Sequence, residues 1–260
     1  MSRILAGNWK MNLSLGEARF LFTAIGEGRS QSQLHSLSIV VFPPLTALAA
    51  LAAGRRPTDP RLGVQNCHPE PRGAFTGEIS AELARDAGAE FALVGHSERR
   101  RLFCENDQLA QAKLKAVWRA GLNPVLCVGE TLAERERRET RDVLRRQIRR
   151  VLEGAPAQAP LWIAYEPVWA IGTGVVASAE EVAEAHGWVC EELNQLGRDG
   201  ARARTPILYG GSVDAKNAAA LSALPEVSGF LVGGASLKAD SFLAIGEALL
   251  RAETRASGVN

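Results

Sequence analysis

Little in this chain narrows its function by composition alone. Its four cysteines, Cys67, Cys104, Cys127 and Cys190, stand far apart, without the close spacing that a zinc site or a disulfide framework requires. Neither sign of charge is in excess: 30 basic residues face 29 acidic ones, which excludes a global attraction to nucleic acid or an anionic membrane. The first residues hold no apolar run long enough for a secretory leader. The uncharged stretch 36–54 is interrupted by Pro43-Pro44 and reads as strand, turn and helix rather than a membrane span. Linkers, low-complexity tracts, metal clusters, nucleophile triads and nucleotide fingerprints are absent as well. These absences leave a cytoplasmic globular protein with no cofactor, no metal, no nucleic-acid partner and no membrane partner as the expectation.

What is present is a regular beat of short apolar runs, at 4–6, 39–42, 62–64, 91–94, 125–128, 161–165, 207–209 and 230–232, with helical patterns between most of them. The runs show no polar alternation, as befits strands buried on both faces, and they recur roughly every thirty residues. An α/β fold follows, a single closed parallel (β/α)8 barrel domain over residues 1–260, with an open doubly wound sheet as the structural alternative. Favouring the barrel, Asn8, Lys10, Asn66, His96, Glu130, Glu166, Ser212 and the pair Gly233-Gly234 all fall at or just beyond the C-terminal ends of these runs. In a barrel those ends converge on one face. The arginine-rich segment 134–150 is diluted by Glu134, Glu136, Glu139 and Asp142 and carries an apolar stripe of Leu144, Ile148, Val151 and Leu152. It reads as one solvated outer helix, not a nucleic-acid patch.

The candidate chemistry lies at those ends. Glu166 closes a buried strand, is followed by Pro167, and precedes a loop bounded by Gly172 and Gly174: a carboxylate base beside a lid. His96 stands where a helix begins, and the free N–H groups there disfavour the imidazolium. Lys10, at the end of the first strand beside Asn8, is placed to neutralise a substrate anion in a water-poor site. Gly210-Gly211-Ser212 and Gly233-Gly234 end the last two strands, where glycine lets backbone N–H groups face a phosphate. A base, a neutral electrophile, a cation and a phosphate cradle suit proton transfer next to the carbonyl of a small sugar phosphate.

Six motifs in order, Gly7-Asn8-Trp9-Lys10-Met11-Asn12, Gly73-Ala74-Phe75-Thr76-Gly77-Glu78, Gly95-His96-Ser97-Glu98-Arg99-Arg100, Tyr165-Glu166-Pro167-Val168-Trp169-Ala170-Ile171-Gly172-Thr173-Gly174, Tyr209-Gly210-Gly211-Ser212 and Val232-Gly233-Gly234-Ala235-Ser236, resemble those of the triosephosphate isomerase family over essentially the whole chain. The resemblance implies a TIM barrel and interconversion of dihydroxyacetone phosphate and D-glyceraldehyde 3-phosphate in glycolysis and gluconeogenesis. It further implies Glu166 as base, His96 as electrophile, Lys10 and Asn8 as stabilising groups, and Gly172, Ser212, Gly233 and Gly234 as phosphate ligands. Glu98 would pair with Lys10, Cys127 would pack near the catalytic carboxylate, and a loop of Phe75, Thr76, Gly77 and Glu78 would enter a second subunit of a homodimer. An isomerase of a four-carbon sugar phosphate and a non-catalytic barrel are the alternatives. The chain departs from the family pattern at Cys190 and Pro206, where arginines are usual, at Ser228, where an acidic residue is usual, and at Val175 in the lid's far hinge, where lysine is common.

Overall fold

A computed structural model describes residues 3–171, 176–198 and 205–257. Eight strands appear among them: β1 (Ile4–Asn8), β2 (Ser38–Phe42), β3 (Arg61–Val64), β4 (Phe91–Val94), β5 (Asn123–Val128), β6 (Trp162–Tyr165), β7 (Ile207–Tyr209) and β8 (Gly229–Val232). They pair in parallel in chain order, and β8 returns to β1 with Ile4 opposite Gly229 and Gly7 opposite Val232, which closes the barrel. All eight runs expected from the sequence are strands, with ends that coincide or differ by at most two residues.

Helices clothe the barrel: α1 (Leu15–Gln31), α2 (Leu45–Ala52), α3 (Ala81–Asp86), α4 (Ser97–Leu102), α5 (Asp107–Arg119), α6 (Leu132–Glu136), α7 (Thr140–Val151), α8 (Ala179–Gln195), α9 (Ala218–Ser222) and α10 (Ala239–Ser257). Ser14, Thr131 and Ser178 each begin a helix with a capping box closed by Glu17, Glu134 and Glu181. Such a cap contributes about 1 kcal/mol and fixes where the chain leaves the loop. Pro43 and Pro44 turn the chain from β2 into α2, as the sequence indicates.

The strands do alternate, but between two apolar environments. Ile4, Ala6, Val40, Phe42, Phe91, Leu93, Val125, Cys127, Ala164, Leu208 and Leu231 fill the inside of the barrel. Their neighbours, such as Leu5, Val41, Ala92, Leu126, Ile163 and Phe230, pack outward under the helices. Each strand therefore reads as continuously apolar while keeping its two-residue period.

One expected helix is in fact two. Arg138 takes φ +60° between α6 and α7, Arg138 N–H donates to the Arg135 carbonyl at 2.8 Å, and Glu139 N–H reaches back to the Glu134 carbonyl at 2.9 Å. That pattern is a left-handed helix stop, here built on arginine instead of glycine. The four apolar residues read as the buried stripe, Leu144, Ile148, Val151 and Leu152, are buried along α7 and its C-cap.

Candidate active site

The inward period of the strands carries the functional side chains to the cavity. Counting in twos from Ile4 and Ala6 puts Asn8 and Lys10 inside; from Ala164, Glu166; from Leu208 and Leu231, Gly210 and Gly233. Lys10 is held in the left-handed region at φ +51°, a conformation that costs a non-glycine residue on the order of 1–3 kcal/mol. Two neighbours offset that cost. The Gln65 amide donates to the Lys10 carbonyl at 2.8 Å and to the Phe42 carbonyl at 2.9 Å, and Lys10 N–H donates to Asn8 Oδ1 at 3.1 Å. At the tip, Lys10 Nζ meets Glu98 Oε1 at 2.6 Å, the pairing expected from the resemblance. Burial pushes the Glu98 carboxyl up, but the hydrogen bond and charge of Lys10 outweigh it and hold Glu98 below the usual carboxylate range.

His96 does not follow the inward period. Phe91 and Leu93 face inside, so a continued β4 would send 95 inward and 96 outward. The strand stops at Val94, and Gly95 turns the chain at φ +72°. A β-carbon at Gly95 would sit 3.0 Å from Arg100 Nη2 and 3.2 Å from the Cys127 carbonyl, so both conformation and space call for glycine. His96 then caps α4, its Nδ1 accepting the Glu98 N–H at 3.2 Å. That contact uses Nδ1 as an acceptor and leaves Nε2 facing the cavity.

That Nε2 lies 3.1 Å from Glu166 Oε1 and 3.3 Å from Asn8 Nδ2. The other oxygen of Glu166 accepts the Ser97 N–H at 2.9 Å. Glu166 and His96 are thus in contact, both buried. Cys127 is fully buried near Glu166, and burial followed by the charge of that carboxylate pushes its thiol far above the usual value. Held as a neutral thiol, it packs near Glu166.

A cavity of about 670 Å³ gathers Asn8, Lys10, His96, Glu166, Ser212, Gly233 and Gly234 at one end of the barrel. Gly172 and Val175 lie outside the described residues. Gly210 also lines this space; a β-carbon there would press within 3.0 Å of Glu166 Cγ. Just after Glu166 in the chain, Trp169 Nε1 donates to Glu130 Oε1 at 2.7 Å, the Tyr165 hydroxyl lies 3.2 Å from both Glu130 oxygens, and the Arg135 guanidinium stacks 4.1 Å over the Trp169 ring. These contacts fix the near end of the segment read as a lid. Burial raises the Glu130 carboxyl, only partly countered by these donors.

Three contributors escaped sequence reading. Gln65 and the Ser97 N–H act through hydrogen bonds that no spacing rule announces, and Arg101, which also lines the cavity, stood in a run of three arginines. The departures at 206 and 228 leave no ionised side chain at those two positions: Ser228 Oγ accepts the Ile207 N–H at 3.3 Å, and the Pro206 carbonyl accepts the Ile163 N–H at 2.9 Å. Cys190 is half-buried against the outer core. Among the described residues, no group of three metal-ligating side chains comes together and no helix is long and apolar enough to cross a membrane.

Comparison with known proteins agrees with this geometry. The family model for triosephosphate isomerase matches residues 3–249. The chain is 50% identical to the triosephosphate isomerase of Xanthobacter flavus over 95% of its own length and 97% of that protein's. It is 47% identical to the triosephosphate isomerase of Chlamydia muridarum over 92% and 88%. The crystal structure of triosephosphate isomerase from Bartonella henselae superimposes with a TM-score of 0.85 at 39% identity, covering 95% of this chain and 99% of the other. With its eight-stranded barrel, its ordered motifs and these relatives, the chain belongs to the triosephosphate isomerase family.

Proposed function

We propose that this member of the family interconverts dihydroxyacetone phosphate and D-glyceraldehyde 3-phosphate through an enediolate, with Glu166 as base and neutral His96 as electrophile. The observation that carries the reading is the 3.1 Å contact of His96 Nε2 with Glu166 Oε1 in a cavity that also holds Lys10 and two glycine-rich strand ends. Substrate entering between these groups takes over both interactions. Glu166 removes a proton from the carbon beside the carbonyl, and the electron pair moves onto the carbonyl oxygen as His96 Nε2–H donates to it. His96 passes a proton between the two oxygens, and Glu166 returns its proton to the neighbouring carbon. Lys10 and Asn8 stabilise the negative charge that develops, most strongly once water is excluded. Ser212, Gly233 and Gly234, with Gly172, hold the phosphate through backbone N–H groups. The segment from Pro167 to Val176 closes over it and keeps the enediolate from eliminating phosphate.

A homodimer is part of the same reading. A second cavity of about 600 Å³ shares Asn8, Lys10, His96 and Glu98 with the first and is edged by Met11, Gln65 and Phe103. Met11 is 95% and Phe103 62% exposed in the single chain, an apolar display that a partner's loop of Phe75, Thr76, Gly77 and Glu78 would cover. Scattered cysteines outside any disulfide support a cytoplasmic setting.

The test is a coupled assay with glyceraldehyde 3-phosphate, run beside Glu166→Gln and with a four-carbon ketose phosphate as competitor. Turnover should fall on the order of a thousandfold in the variant. A variant as fast as the parent would remove Glu166 from the mechanism, and preference for the longer substrate would reassign the specificity. Sedimentation at assay concentration checks the dimer.

A further inference from the structure

His96 is off the inward period of its strand, so something must set the direction in which its ring enters the cavity. The turn at Gly95 is gripped on both sides by charged groups. Its N–H donates to Glu105 Oε1 at 2.8 Å, and its carbonyl accepts Arg100 Nε at 2.8 Å. The carbonyl matters more for the histidine. The Gly95 C=O and the His96 N–H share one rigid peptide plane, so fixing that oxygen fixes the backbone from which the imidazole projects.

Arg100 is suited to this task and lines neither cavity. Its Nη1 donates to Asp107 Oδ1 at 2.6 Å at the start of α5, so the planar guanidinium is tied at two points, one on each side. Asp107 is in turn approached by Arg146 from α7 at 3.6 Å. The third nitrogen, Nη2, is buried with no hydrogen-bond partner among the described residues, so the contacts of Nε and Nη1 are the ones that orient the group.

We propose that Arg100 is a positioning residue: by holding the Gly95 carbonyl from outside the cavity it aims the His96 ring at the reacting oxygens. The inference rests on His96 acting as the electrophile. It assigns work to a side chain that touches no substrate.

The experiment is a double-mutant cycle on the intact protein, with kcat and KM for glyceraldehyde 3-phosphate measured for R100M, H96Q and R100M/H96Q, each checked for folding by circular dichroism. A misaimed ring lowers kcat of R100M on the order of a hundredfold. KM stays within about threefold, because Lys10 and the glycine-rich strand ends keep their contacts. In the H96Q background, where there is no imidazole to aim, R100M should change kcat by less than about threefold. A kcat for R100M near the parent's overturns the proposal, and so does an equal loss in both backgrounds, which marks general packing. Undiminished turnover in H96Q itself overturns the electrophile reading and this inference together. Collapse of H96Q with intact R100M overturns the inference alone. Should R100M not fold, R100K carries the test: it keeps the charge but loses the two-point fork, and parental kcat there is equally fatal.

Discussion

The two sides of the cavity are built from opposite materials. Around the end of β4, charged side chains cluster in pairs: Glu98 meets Lys10, Glu105 meets Arg99 and Lys113, and Arg100 meets Asp107. Around the ends of β7 and β8, the lining from 210 to 213 and from 231 to 235 contains no charged side chain at all. Where a proton must move between defined atoms, directions matter, and side-chain networks supply them. For the phosphate proposed to sit there, backbone N–H groups suffice, and Lys10 reaches across from β1 as a cation. Its Nζ would lie 3.9 Å from a β-carbon on Gly233.

Breaking the charged side should be the more damaging. Glu105 is 1% exposed and binds Gly95 N–H, Arg99 and Lys113, the last at 2.5 Å. Glu105→Leu leaves the buried Lys113 ammonium without its counter-ion, with the neutral Asn66 Oδ1 at 2.7 Å as its partner, and should cost on the order of 3–5 kcal/mol in denaturant unfolding. A loss below about 1 kcal/mol would mean that the network is decoration.

Acid should separate the two sides. Burial pushes Glu105 up, yet Lys113 more than compensates and its carboxyl stays below the usual range. Its contribution is therefore complete above the ordinary carboxylate pKa and is lost only as pH falls through its depressed value. Behind β6 and β7, His186 is fully buried against Tyr165 and Tyr209, its Nδ1 3.1 Å from the Glu226 carbonyl, and burial lowers its pKa from 6.5 to about 4. The unfolded chain takes up that proton first, so stability contributed by neutral His186 drains away as pH falls from 6.5 towards 4. Lowering pH from 7.5 to 5 should remove about 2 kcal/mol, and His186→Phe should flatten that slope. An unchanged slope in the variant would assign the acid sensitivity to other groups.

Gly233→Ala probes the glycine side in isolation. The added methyl meets the protein at an ordinary 3.7 Å from Lys10 Cε, but intrudes on the space proposed for the phosphate. KM should rise about tenfold, or roughly 1.4 kcal/mol, with kcat little changed; a fall in kcat alone would blur the division of labour. Smallest of all is Asp142→Asn on α7. Its 2.5 Å pair with Arg145 is exposed on both sides, so unfolding free energy should shift by less than about 0.5 kcal/mol.

The barrel was legible because its strands are short, apolar on both faces and punctuated by the residues that do chemistry. Asn8, Lys10, His96, Glu166 and Gly233 could be placed on one face because they stand at or just beyond the ends of the apolar runs. How His96 reaches the cavity was hidden: it does so after the left-handed turn at Gly95, and the groups that hold that turn, Glu105 and Arg100, lie on the following helix and loop where a sequence shows only surface-like charge. The stop at Arg138 was hidden for a related reason: a left-handed residue is announced by glycine, and here arginine takes the position while two backbone hydrogen bonds hold it.

The pairing of β8 with β1 has a consequence for how the molecule comes to exist. Arg3 donates a hydrogen bond to the Val227 carbonyl, a partner 224 positions along the chain, and the whole register of that seam joins opposite ends of the polypeptide. Until the last strand has left the ribosome, β1 has only β2 beside it, and the growing sheet carries two open parallel edges able to recruit another chain. Contacts of such separation are entropically expensive to nucleate, which favours closing this seam after the local contacts have formed. The cradle of β8 and the lysine of β1 face each other across it, and catalytic competence arrives with the final stitch.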